Sequence, residues 1–152
     1  MTNNKESLIQ KEEKALGHLI QPFVKSDFKL KDILQIIIGA TILAVPIGFT
    51  EETWRLGEQL PLANIFGIMA ISVIFIIIFT YYYYHHTRNK ENFGDFFKRV
   101  TFTYLISFLL VAIILGLIQV TPWETDAVLA FKRVIIVALP SSMSAVIADT
   151  FK

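Results

Sequence analysis

Four long apolar blocks interrupt an otherwise polar chain, at about 33–50, 62–84, 100–120 and 130–149. The charges gather before and between them. A hydrocarbon layer about 30 Å thick needs roughly 20 apolar residues in a helix, and each block reaches or approaches that length. Inside lipid every backbone N–H and C=O must find a partner within its own segment or a closed barrel. Isolated blocks of this length are therefore helices. The pattern predicts an all-α, polytopic membrane protein: a four-helix transmembrane bundle over 33–152, preceded by a segment 1–32.

That leading segment mixes Lys5, Glu6, Lys11, Glu12, Glu13 and Lys14 with Leu8, Ile9, Leu16, Leu19 and Ile20. The apolar set falls roughly on one helical face, and Pro22 ends it. An amphipathic helix on the membrane and a solvated tail are both open readings. The first apolar block begins too late for a cleavable signal peptide, so a retained anchor is expected.

The connections predict orientation. Lys25, Lys29 and Lys31 precede the first helix, and Arg88, Lys90, Lys98 and Arg99 fill or flank the second connection. Arg55 stands alone in the first. The positive-inside rule then places both termini in the cytoplasm of a multi-pass protein of the cell membrane. Trp54 and Trp123 fall at the expected outer interface, and Tyr81, Tyr82, Tyr83 and Tyr84 at the inner one. Lys132 and Arg133 begin the fourth helix on the outer side against this rule. Their stems can reach back to headgroups, or their charges can hold an internal carboxylate.

Composition sharpens this picture. Of 152 residues, 54% are hydrophobic and only 18% charged, against about a quarter charged in a soluble domain. A net charge of +1 offers no footprint for nucleic acid. The absence of cysteine excludes a disulfide framework, thiolate metal sites and thiol redox chemistry.

Small residues suggest which helices meet. Ala40, Ala44 and Gly48 recur every four residues in the first, and Ala138/Ser142, Ser141/Ala145 and Ser144/Ala148 do so in the fourth. Such faces let backbones approach closely. The first and fourth helices are therefore expected to form the inner contact, or to pack against a second subunit, with the second and third outside. Ala44-Val45-Pro46 before Glu51 and Glu52, and Ala138-Leu139-Pro140 before Asp149, form a faint echo that an inverted repeat would explain.

Candidate chemistry centres on the stretch AVPIGFTEETWRLG, Ala44 to Gly57. Pro46 and Pro140 are expected to kink their helices. Glu51 and Glu52, with Thr50, could form an acidic outer mouth that concentrates a cation, as acidic rings do in channels; they could equally mark a helix end. Ser141 and Ser142 beside Pro140 could make a polar patch for an ion or simply glue helices together. Asp149 is either part of that path or an inner-boundary charge. His85 and His86 are neighbours that point to different sides and make a poor metal pair; His18 carries no signal. No zinc-helix, phosphate-loop or nucleophile-elbow pattern occurs, so no enzyme, catalytic residue or cofactor is expected, and no metal ligand set is assigned.

At Pro46-Ile47-Gly48-Phe49-Thr50-Glu51-Glu52-Thr53-Trp54, with Gly57 following, the chain resembles a prokaryotic family, the "putative integral membrane proteins" of unknown function. Its pattern is matched at Pro46, Phe49, Thr50, Glu52, Trp54 and Gly57, and Leu139-Pro140-Ser141-Ser142 is similar to a late helix of the family. The resemblance implies a membrane protein whose polar motif matters, with longer relatives whose further helices a second subunit could supply here. It implies no activity.

These features point first to a small channel or transporter, homo-oligomeric and cation-conducting, in the lipid bilayer. The alternative is a membrane adaptor or structural subunit that docks a partner through its N-terminal segment and basic loop.

Overall fold

The computed structural model describes residues 30–87 and 93–150. Five helices make up this part: α1 (Leu30–Gly48), α2 (Glu51–Gln59), α3 (Leu62–Thr87), α4 (Phe93–Leu117) and α5 (Ala127–Thr150). All but α2 are long and apolar enough to cross a membrane. The described residues contain no strand. The segment 1–29, with the expected amphipathic helix, His18, Lys25 and Lys29, lies outside the described residues, as do Arg88 and Lys90 and the side chains of Tyr84, His85 and His86.

Helix bounds depart from the apolar blocks where polar residues are absorbed. α4 starts at Phe93, ahead of the block at 100, because Asp95, Lys98 and Arg99 occupy its first two turns. α1 stops at Gly48, and the charged stretch after it folds into the separate short helix α2. Hydropathy sees the apolar middle of a helix; it does not see polar turns at its end.

α5 is the axis of the bundle. Of its spanning window 56% is buried, against 17–28% for α1, α3 and α4. It packs against α2, α3 and α4, and against α1 at Gly39. The reason is in its side chains: Ala130, Ala138, Ser141, Ser142 and Ala145 are small and buried on one broad face, which Ile135, Val146 and Thr150 widen. So the inner position expected for the first and last spans belongs to the last alone. α1 lies on its flank.

α1 buries one stripe, Asp32, Ile36, Ala40, Ala44 and Gly48 with Gly39 beside it, and exposes Leu34, Ile38 and Ile42 opposite. The four-residue spacing is one helical face. α4 answers with Arg99, Thr103, Ser107, Val111 and Leu115 buried at the same spacing, and Leu105, Leu109, Ile113 and Leu117 exposed. Ala44 shares a core cluster with Val111, Leu115, Val134 and Val137, and Gly48 faces Leu115. The Gly48–Leu115 contact brings the C-terminal ends of α1 and α4 together. A second core cluster, Ile76, Val100 and Val146, ties α3 to α4 and α5 at the other end.

The closest approach is at Gly39. A Cβ there would lie 2.5 Å from the Ala148 Cβ and 2.8 Å from the Ser144 carbonyl oxygen. Backbone meets backbone, as small residues permit between membrane helices. Ala40, Ala44, Gly48, Ala138, Ser141, Ser142 and Ala145 are likewise buried within the chain. They are used up in its own packing.

The two ends of the α4–α5 loop are closed by backbone and side-chain hydrogen bonds. α4 ends with Gln119 at φ 59, where the Val120 N–H donates to Leu115 O and the Gln119 N–H to Gly116 O. This is the left-handed C-terminal cap that usually takes glycine. Asp126 Oδ1 accepts from the Leu129 N–H at 2.9 Å and caps the start of α5.

Candidate functional site

Polar groups concentrate at the two ends of the bundle. At one end α1 passes into α2. The last carbonyls of a helix have no partner along it. Here Thr50 Oγ1 donates to Ile47 O at 2.7 Å, Thr53 Oγ1 to the same oxygen at 3.1 Å, and the Trp54 indole N–H to Gly48 O at 2.9 Å. The two threonine hydroxyls also touch at 2.8 Å. Pro46 lies inside the last turn of α1, and the helix breaks just after it, at Phe49 and Thr50. Phe49-Thr50-Glu51-Glu52-Thr53-Trp54 is thus a junction whose hydroxyls and indole satisfy the carbonyls the break exposes.

Glu51 and Glu52 occupy the first turn of α2, where negative charge is favoured by the helix dipole. Both are exposed. α2 is then fastened to α5: Arg133 donates from Nη2 to Glu58 Oε1 at 2.7 Å and from Nη1 to Val120 O. Lys132 Nζ donates to Leu60 O at 2.8 Å. Gly57 makes room for this, since a Cβ there would stand 2.6 Å from Arg133 Cγ. Lys132 and Arg133 thus hold two loops at this end by their backbone carbonyls, and the carboxylate Arg133 holds is Glu58.

At the opposite end lies a different arrangement. Arg99 on α4 donates from Nε to Asp149 Oδ2 on α5 at 2.8 Å, and Nη2 converges on the same oxygen. The two side chains are only 10% and 2% exposed. Asp32, on the buried stripe of α1, is also inside, at 1% exposed. Asp32 lies sixteen residues before Gly48 on the buried stripe of α1, as Arg99 lies sixteen residues before Leu115 on that of α4. Three ionisable residues from three helices are thus buried, within or beside apolar spans. Burying such charges is expensive, and they persist only when paired.

Between the ends, buried hydroxyls turn inward to their own helices. Ser141 Oγ donates to Val137 O at 2.7 Å and Ser142 Oγ to Leu139 O at 3.0 Å, on either side of Pro140, through which α5 continues. Ser72 and Ser107 do the same to Ile68 O and Thr103 O. These hydroxyls are satisfied by carbonyls one turn back, the usual arrangement inside a membrane helix.

Of the residues singled out from sequence, Thr50, Glu51 and Glu52 come together at the α1–α2 junction, and Ser141 and Ser142 share α5 with Asp149. Asp149 stands with Arg99 at the far end from the glutamates. In the sequence Arg99 looks like a loop charge, and Asp32 does not stand out. The signal for Arg99 was its spacing of four from Thr103 and Ser107, which continues the buried face of α4. Among the described residues no group of three or more His, Cys, Asp or Glu could hold a metal ion.

The helical bundle and its buried charges fit a protein that lives in lipid, and comparison with known families agrees. The family described as "Putative integral membrane protein (DUF2391)" matches residues 2–150. The chain belongs to that family. For this DUF2391 member no curated protein and no solved structure gives a match.

Proposed function

We propose that this DUF2391 protein moves a cation across the cell membrane, as a channel or carrier, and that it works as a homo-oligomer. The observation that carries the reading is the Arg99–Asp149 pair, buried between two apolar helices. An apolar pair of similar volume would hold those helices at least as well. Ionisable groups retained inside a bundle are the usual mark of an ion pathway or proton relay. In this reading Asp149 and Arg99 handle the ion, with Asp32 buried on α1. Glu51 and Glu52 serve as a cation-attracting rim at the other end, placed outside by the positive-inside rule.

Assembly belongs to the same proposal. Four spans enclose little free interior, and the small faces of α1 and α5 are already occupied. On α3, Ala63, Gly67 and Ala70 remain exposed, with open space around Gly67.

The experiment is ion flux in liposomes that carry the purified protein, compared with empty liposomes and with Asp149→Asn. The reading predicts cation flux that the substitution removes. Equal leak in all three would end it. A partner lost on removal of residues 1–30, in the absence of flux, would favour the adaptor instead.

A further inference from the structure

The loop that joins α4 to α5 carries a second feature, independent of ion transport. Thr121 is 7% exposed, and its hydroxyl has no hydrogen-bond partner. A buried hydroxyl without a partner is unfavourable, because it gives up its hydrogen bonds to water and gains none in exchange. Next to it stands Trp123. The Thr121 Oγ1 and the Trp123 Nε1 each lie 3.9 Å from the point where a Cβ on Gly116 would sit. Two donors thus flank a notch that exists because residue 116 has no side chain. The indole N–H donates only, and the hydroxyl can donate too. The atom that suits them is an acceptor oxygen.

The surroundings say which. Below the notch runs the exposed ridge Leu105, Leu109, Ile113 and Leu117, one face of α4. An acyl chain laid along that ridge brings its glycerol and phosphate oxygens to the level of Thr121 and Trp123. Tryptophan favours this depth. Arg133 binds the carbonyl of Val120, the residue before Thr121, and so adds positive charge at the loop. Trp123 is 44% exposed, so its ring is open to the surroundings beside the buried Thr121.

We infer that this notch holds one phospholipid by a headgroup-level oxygen, with Thr121 and Trp123 as its donors and the α4 ridge as the seat of its chain.

Three substitutions isolate the parts. Thr121→Val keeps the shape and removes the hydroxyl, Trp123→Phe keeps a ring and removes the N–H, and Gly116→Ala fills the notch at ordinary contact distance. The measurement is native mass spectrometry of the purified protein in mild detergent, titrated with palmitoyl-oleoyl phosphatidylglycerol. The native chain should show one adduct that forms before the others. Loss of two hydrogen bonds should weaken it roughly tenfold or more in Thr121→Val/Trp123→Phe. Gly116→Ala should weaken it as well, with an unchanged melting temperature that shows the fold intact. Full lipid occupancy in all variants would overturn the inference and leave the notch to water. Because no flux is read, this outcome stands apart from the fate of the transport proposal.

Discussion

The two ends of this bundle solve different problems with polar side chains. At the end that holds the α1–α2 junction, threonine hydroxyls and an indole N–H bond the last carbonyls of α1, and Lys132 and Arg133 bond the carbonyls of Leu60 and Val120 in the neighbouring loops. At the opposite end, a guanidinium and a carboxylate bond each other in the interior. The first arrangement is what any broken helix requires, and neutral groups do most of it. The second needs charge, and packing alone does not explain it. The end richest in sequence motif is thus chiefly architectural, whereas the end that looked like ordinary boundary charge holds the buried pair.

The largest effect should come from splitting that pair. Arg99→Leu or Asp149→Leu alone leaves one buried charge uncompensated and should cost about 3–5 kcal/mol. The double variant Arg99→Leu/Asp149→Leu should recover much of the loss, as read by thermal unfolding in detergent. Additive losses would mean that the two residues act separately.

Next comes the contact between helix backbones. Gly39→Ala drives a methyl into Ala148 and the Ser144 carbonyl, and overpacking of this kind costs about 1–3 kcal/mol. The same measurement checks it. A neutral result would show that α1 can stand further from α5 without penalty.

The junction should be more forgiving. Trp54→Phe removes one hydrogen bond to Gly48 O, worth about 1 kcal/mol. Proteolysis near Phe49–Thr50 should rise as the α1–α2 turn loosens. Should Trp54→Phe match the buried-pair variants in severity, the contrast between the two ends would dissolve.

Smallest of all should be Glu51→Gln with Glu52→Gln. Both groups are exposed on the first turn of α2, so stability should move by no more than about 0.5 kcal/mol.

The membrane-spanning architecture was legible because lipid imposes it. Length and apolarity decide a span, and no tertiary detail can reverse that. Gly48, Ala44 and Ala40 could be read as a packing face because their spacing is the helix period. Gly39 was missed, although it makes the tightest contact, because it sits one position off that series. The inner place of α5 was half legible: its small residues announced it, but those of α1 looked the same. Arg99 was hidden by its neighbours, since Arg88, Lys90 and Lys98 made it look like one more loop charge. Only the partner across space distinguishes it, and Asp149 is 50 residues away in the chain. The junction motif was visible as a sequence but not as a function, because a carbonyl that needs a cap leaves no trace in residue letters.

The most direct test sets the two ends against each other in one assay: cation flux through liposomes that carry either Asp149→Asn or Glu51→Gln/Glu52→Gln. The account predicts that the single change at the buried pair abolishes flux, while the double change at the exposed rim only lowers it. Flux that survives Asp149→Asn and vanishes with the glutamates would contradict it, and would return the ion site to the outer mouth.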